Sequence, residues 1–282
     1  MAAGRVLVNG IGLYYEDTGR GEPVLLIEGL GYAAWMWYRQ RDAFAARYRT
    51  VIFDNRCAGQ SDHPDEPFTV ADMAADAAGL LRVLETGPVH VLGVSMGGFI
   101  AQELALNHPR LVKSLVLCCT SFGGPNAVPV TPRALESMTE ISGLTPEQVI
   151  RQGLSVAFSR PYFDSHPAEV DRIVAWRLAL GTPRRAWQRQ FEAVLSFGSE
   201  DRLGQIGVPT LVMAGDEDLV VPVQNAHALA GRIPGAELAI FPGGGHLFFI
   251  EQAPRFNSTV IDFLDRQGSR GPACSPKREE RS

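Results

Sequence analysis

The residues Gly93-Val94-Ser95-Met96-Gly97 set a hydroxyl between two glycines, each two positions away. Upstream, Pro88–Val94 is a short apolar run that predicts a strand. Downstream, Met96–Asn107 predicts a helix that stops before Pro109. A serine at a strand-to-helix junction of this kind sits on a sharp, strained turn with its Oγ exposed. Such a turn leaves little room for a Cβ two positions before and two after, where Gly93 and Gly97 stand. The start of the helix offers free N–H groups and a partial positive charge where an oxyanion would form. The chemistry these residues permit is attack by Ser95 on a carbonyl; the plainer reading is a serine N-cap on an ordinary βα turn.

A serine hydroxyl needs a base within hydrogen-bond reach. Of the six histidines, His90 alternates within a strand, His108 ends a helix, His227 lies inside one, and His63 and His166 sit in polar, proline-flanked stretches. His246 differs. It follows Gly243-Gly244-Gly245 directly after a predicted strand and precedes the apolar patch Leu247–Ile250. Glycines let that loop carry the imidazole over the edge of a sheet. The acid that would orient it is sought after a strand between the two. Asp216, Glu217 and Asp218 follow Thr210–Ala214, and the Gly-x-x-Asp spacing with Val-Val-Pro beyond selects Asp218. Asp216 reads as a turn former whose carboxylate accepts nearby backbone N–H groups.

The elements that must hold these residues alternate. Asn9-Gly10 between two apolar runs predicts a hairpin with a type I′ turn. Strands are predicted at Pro23–Ile27, Thr50–Asp54, Pro88–Val94, Lys113–Cys119, Thr210–Ala214 and Leu238–Phe241. Helices are predicted from Trp37 to Arg47, from Thr69 with Asp72 as its capping-box partner, over Met96–Asn107, over Val223–Ala230 and over Pro254–Arg266. This alternation implies an α/β fold, a mostly parallel, doubly wound sheet. The rhythm breaks between 123 and 205, where no strand is predicted and apolar residues recur at helical spacing. The expected organisation is a core of residues 1–122 and 206–267, a helical cap inserted at 123–205, and a polar tail at 268–282 expected to be disordered.

With the triad and these elements in place, the chain resembles the α/β-hydrolase family, in its branch of small capped carboxylesterases, enol-lactonases and cofactor-free haloperoxidases. The likeness runs over residues 5–267, and three further segments carry it. Asp54-Asn55-Arg56-Cys57-Ala58-Gly59-Gln60-Ser61-Asp62 resembles the family's D-x-R-G-x-G-x-S loop, with Cys57 where glycine is usual. Asn107–Val112 resembles its helix-end segment. Glu28-Gly29-Leu30-Gly31 stands where the family has its His-Gly oxyanion loop. By that resemblance the backbone N–H groups of Leu30 and Met96 would form the oxyanion hole, and Glu28 departs from the usual histidine. A carboxylate there needs a partner or is driven neutral. The two readings of Glu28 are a hydrogen bond to local backbone or Arg56, and a direct influence on the oxyanion loop or substrate.

The expected function is cleavage of carboxylic esters of small to medium, largely apolar acyl groups through a Ser95 acyl-enzyme, with His246 as base and Asp218 as its orienting acid. Gly29, Trp35, Trp37 and Phe248 are the candidate substrate contacts. The aromatics of the insertion (Phe158, Tyr162, Phe163, Trp176 and Trp187) read chiefly as core, and Arg184, Arg185 and Arg189 as a solvated helix face. A serine nucleophile excludes haloalkane dehalogenation, which uses a carboxylate. Lactone or C–C bond hydrolysis, a perhydrolase side activity, and a small-molecule receptor on the same fold remain as alternatives.

Composition narrows the field. The 282 residues are enough to bury about three quarters of the unfolded surface without metal or disulfide staples. A net charge of −5, from 26 basic and 31 acidic residues, argues against nucleic-acid binding. No apolar run is long enough to span a membrane and no signal peptide is expected. No HxH, HExxH, CxxC, GxGxxG or Walker pattern points to a metal or nucleotide, so no cofactor is expected. The four cysteines read as buried free thiols of a cytoplasmic protein. The partner expected is a small-molecule ester; a homodimer stays open.

Overall fold

The structure is a computed structural model that describes residues 2–268. Its eight strands are β1 (Ala2–Val8), β2 (Ile11–Thr18), β3 (Pro23–Ile27), β4 (Arg49–Phe53), β5 (Val89–Val94), β6 (Val112–Cys118), β7 (Thr210–Gly215) and β8 (Glu237–Phe241). They form one sheet in the order β1-β2-β4-β3-β5-β6-β7-β8. The pairs from β4 through β3 to β8 are parallel, and β1 and β2 are antiparallel additions at one edge. The hairpin turn has positive φ at both Asn9 (51°) and Gly10 (78°), as a type I′ turn demands.

The core helices are α1 (Arg41–Ala45), α2 (Val70–Val83) and α3 (Met96–Asn107). Between β6 and β7 come α4 (Pro132–Thr139), α5 (Pro146–Ala157), α6 (Arg160–Ser165), α7 (Pro167–Leu180) and α8 (Arg184–Leu195). The chain then closes with α9 (Gln224–Arg232), α10 (Phe248–Glu251) and α11 (Ala253–Gly268). Side chains alternate along the parallel strands and so feed two cores. Leu25, Ile27, Val91 and Leu115 face α2, α3 and α9. Val24, Leu26, Leu92 and Val116 face Phe44 of α1 and Phe256, Val260 and Phe263 of α11. Helices thus cover both faces, and the strands β3 to β7 read as near-continuous apolar runs because neither of their faces meets water.

Two elements differ from expectation. The stretch 37–47 is not one helix: a 3-10 turn at Ala34–Trp37 precedes the short α1. The Asp54 carboxylate causes the break by accepting the Ala34 N–H at 2.7 Å, which starts the turn early. The strand expected to reach Cys119 ends at Cys118, and Cys119 takes φ 40° just beyond it. Cys57, Cys118 and Cys119 are buried and free. Among the described residues no helix is long and apolar enough to cross a membrane. Gly268 ends α11; the rest of the tail expected to be disordered lies outside the described residues.

Between Gly123 and Gly198, where the chain leaves and re-enters the core, a single antiparallel bridge joins the two crossings. Two hydrogen bonds flank it, Gly124 N–H to the Phe197 carbonyl (3.0 Å) and Ser199 N–H to the Phe122 carbonyl (2.9 Å). Elsewhere Arg56 meets Asp76 of α2 at 2.6 Å, with the Asp76 side chain 1% exposed. Asp76→Ala leaves that guanidinium half-buried and unpaired and is expected to cost about 3–5 kcal/mol. Thr69→Ala removes only the exposed N-cap of α2 and is expected to cost about 1 kcal/mol. Urea unfolding of both variants checks the contrast; equal losses would mean that the Arg56–Asp76 pair carries no special weight.

Candidate active site

The strand order reverses at β3. Its chain continues to β4 on one side, while β5 pairs on the other, with Ile27 level with Gly93. The segments leaving β3 and β5 therefore lie side by side at the carboxyl edge of the sheet, where ligands of open α/β sheets bind. Glu28–Gly31 leaves β3, and Ser95 leaves β5.

Ser95 has φ 54° and ψ −120°, a strained conformation for a residue with a Cβ. The turn is held by Ser95 N–H to the Cys118 carbonyl (2.9 Å) and Gly98 N–H to the Ser95 carbonyl (2.8 Å). The two flanking glycines are required sterically. A Cβ on Gly93 would collide with the Gly97 carbonyl, and one on Gly97 with the Ile27 carbonyl. Gly29 borders the serine; a Cβ there would lie 3.2 Å from Ser95 Cβ and 3.7 Å from Oγ. Met96 opens α3, so its N–H has no acceptor within the helix. Among the described residues neither the Leu30 nor the Met96 N–H meets a backbone acceptor.

Asp218 and His246 come together at the ends of β7 and β8. His246 Nδ1 donates to Asp218 Oδ2 at 2.8 Å, and both side chains are buried. The second oxygen, Oδ1, accepts the Val220 and Val221 N–H groups, both at 2.8 Å. A carboxylate so fixed holds the imidazole tautomer that leaves Nε2 as the free base. Asp216 accepts the Gly243 N–H at 2.7 Å. It does use its carboxylate on backbone, but that of the glycine loop after β8 rather than its own turn, and so ties the two loops together.

Glu28 is completely buried. Its Oε1 accepts the Asn55 N–H at 3.1 Å, while Oε2 has no hydrogen-bond partner. Its partner is thus Asn55, through both the backbone N–H and the side-chain amide, and not Arg56, which pairs with Asp76. Burial first, and the Asp54 carboxylate second, push Glu28 well above the usual carboxylate range. Burial likewise pushes Asp54 up to about 6, against the pull of the Gln60 and Ala34 N–H groups it accepts. Glu28 thus lies buried at the start of the Glu28–Gly31 segment, with its pKa raised. Cys57 also gains an explanation: its φ is 66°, the left-handed region where glycine is at ease, so the cysteine carries strain that glycine would not.

The aromatic contacts divide. Trp37 and Phe248 are fully buried. Trp37 packs on Phe249, and Phe248 on Phe241 and Phe256, so both belong to the core and offer a substrate no surface. Their expected role as substrate contacts is corrected accordingly. Trp35 stays half-buried between Tyr32 and Trp176. Arg185 and Arg189 form exposed pairs with Asp65 and Glu192, as a solvated helix face would.

One residue that sequence reasoning missed is Glu251, five positions after His246. It accepts Ser159 N–H (2.8 Å), Ser159 Oγ (2.9 Å) and Gly245 N–H (3.3 Å), clamping the start of α6 to the residue before His246. Burial raises its pKa. Nothing in its spacing marks it; the clamp exists only once α6 has folded over the loop.

The family model of the alpha/beta hydrolase fold matches residues 22–253. This chain belongs to the α/β-hydrolase family. A putative non-heme bromoperoxidase, BpoC of Mycobacterium tuberculosis, is 34% identical over 90% of this chain and 98% of its own length. The enol-lactonase from Burkholderia xenovorans LB400 is similar in structure, with TM-score 0.81 and 26% identity over 93% of this chain and 100% of that one. So is a thermophilic esterase from Thermogutta terrifontis, with TM-score 0.81 and 27% identity over 95% and 99%.

The raised pKa of Glu28 has a measurable signature. Its folded pKa lies above its unfolded one, so the stability it allows is full below the unfolded value and falls as pH rises toward the folded value. Glutamine mimics the neutral acid at every pH. The melting temperature of Glu28→Gln minus that of the wild type is expected to grow between pH 5 and pH 8 by thermal melts; a difference that stays flat would show Glu28 to be ionised. Glu251→Ala strands the Ser159 and Gly245 donors and is expected to cost about 1–3 kcal/mol in urea unfolding.

Proposed function

We propose that this protein is a serine hydrolase of carboxylic esters with small to medium, largely apolar acyl groups. The observation that carries the reading is the buried Asp218–His246 pair at 2.8 Å, set on the same sheet edge as a serine held at φ 54°. In the proposed reaction His246 Nε2 takes the Ser95 proton as Oγ bonds to the ester carbonyl carbon. The carbonyl oxygen becomes an oxyanion held by the Leu30 and Met96 N–H groups, the largest electrostatic contribution in reactions of this kind. Asp218 stabilises the imidazolium. The tetrahedral species collapses, the C–O bond to the alcohol breaks, and His246 returns the proton to the departing oxygen. Water, deprotonated by His246, then attacks the acyl carbon and releases the acid with Ser95 restored. The half-buried Leu30, Trp35, Leu219 and Val220 at this edge favour an apolar acyl group. The inserted helices serve as the cap, held by the Glu251 clamp. The cyclic ester of a lactone presents the same carbonyl, and likeness to the enol-lactonase favours it as the second reading.

Hydrolysis of p-nitrophenyl esters from acetate to laurate tests this. Activity is expected on short to medium chains, with kcat falling by about six orders of magnitude in Ser95→Ala and by about 10^4 in Asp218→Asn. A folded protein inert toward every chain length but active on lactones would shift the reading to the cyclic substrate. Activity that survives Ser95→Ala would end the serine mechanism.

A further inference from the structure

The oxyanion segment is a four-residue turn. Tyr32 N–H donates to the Gly29 carbonyl at 3.3 Å, and Gly31 in the third position has φ 71°. These are the marks of a type II turn, with Leu30 and Gly31 at its centre. Type I and type II turns differ by a flip of the central peptide, here Leu30–Gly31. With glycine at the third position the turn's own sterics only weakly oppose that flip. Something outside the turn must choose.

A side chain of the insertion does so. Gln190, on α8, is fully buried. Its Oε1 accepts the Gly31 N–H, the N–H of the central peptide, at 2.9 Å. Its Nε2 donates to the Arg56 carbonyl at 2.8 Å. The amide cannot reverse, because its NH2 would then face the Gly31 N–H and its oxygen the Arg56 carbonyl. Nor is the far anchor free to move, since Arg56 is paired with Asp76 and lies over the Phe68 ring. Trp187, one helical turn before Gln190 on the same face of α8, covers Gly31; a Cβ on that glycine would lie 2.5 Å from Trp187 Cδ1. Were the peptide to flip, the Leu30 carbonyl would be turned against Gln190 Oε1; without that anchor the turn is untied from α8, and with it the Leu30 N–H, the proposed oxyanion donor.

We propose that Gln190 is a positioning residue for the oxyanion turn: from the inserted helices it holds the Leu30–Gly31 peptide in its type II orientation, so that the seating of α8 is a condition of turnover. The inference rests on the serine mechanism proposed above. It makes the insertion part of the machinery that stabilises the transition state, and not only a cover for the acyl pocket.

A fluorophosphonate probe tests it without knowledge of the natural substrate, since labelling needs Ser95 as nucleophile and a phosphoryl oxygen in the oxyanion site. Gln190→Met keeps the side-chain volume and removes both hydrogen bonds. Its second-order labelling rate is expected to fall about tenfold or more, with KM for a p-nitrophenyl ester changed less than about threefold and the circular dichroism spectrum retained. Gln190→Glu is the conservative variant. Protonated, it offers a carbonyl to Gly31 and a hydroxyl to the Arg56 carbonyl; ionised, it loses the donor. Its labelling rate relative to wild type is expected to be near one at about pH 6 and to decline toward pH 9. A folded Gln190→Met labelled within twofold of wild type overturns the proposal. If that variant does not fold, a Gln190→Glu ratio that is flat across pH overturns it instead. Absence of Ser95 labelling in the wild type would overturn the serine mechanism itself, and this inference with it.

Discussion

Ser95 occupies a backbone conformation, φ 54° and ψ −120°, that no local preference favours and that costs about 1–3 kcal/mol. It persists because the surroundings leave it no alternative. β5 and β6 hold the turn from below through the Cys118 carbonyl, and α3 begins at once with Met96. The backbones of Gly93, Gly97 and Ile27 close so tightly that a methyl group on either glycine would not fit. Much else at this edge follows from that one strained residue. The turn exposes the hydroxyl, aligns the start of α3 with it, and forces the β3 segment to pass within van der Waals reach through Gly29.

Around that turn the charges are arranged with one sign in view. In the proposed reaction the oxyanion forms among backbone N–H groups at a helix start, so a full negative charge beside it would work against it. The family's usual residue after β3 is histidine; here it is Glu28, fully buried and beside Asp54. Burial eases the conflict by raising the Glu28 pKa, which favours its neutral form two positions from Leu30. Asp218 is the opposite case. It is also buried, yet two backbone N–H groups and the imidazole meet its oxygens.

What could be read in the sequence was whatever depends on neighbours along the chain. The Asn9-Gly10 turn, the run Pro23–Ile27, the capping box at Thr69 and the helix Met96–Asn107 each rest on local sterics or on periodicity, and each lies where those rules put it. The placement of Ser95, Asp218 and His246 beyond strand ends could be read for the same reason, because each follows a strand. What was not legible depends on residues that meet only after folding. Glu251 and Ser159 are 92 positions apart, and Gln190 and Gly31 are 159 apart. Trp37 and Phe248 looked like pocket residues because they follow the site loops. Their side chains turn the other way, into the aromatic cluster against α11, since a buried sheet face attracts large apolar groups more strongly than an open cleft does.

The bridge between Gly123 and Gly198 brings the two crossings of the insertion side by side. The ends of a long excursion are thereby pinned a strand's width apart whatever its contents. The entropy of closing a loop grows only slowly with its length. A lineage can thus lengthen, shorten or replace the helices beyond that bridge while β6 and β7 stay in register. Those helices form a replaceable module, provided each new version brings a side chain able to accept the Gly31 N–H as Gln190 does here.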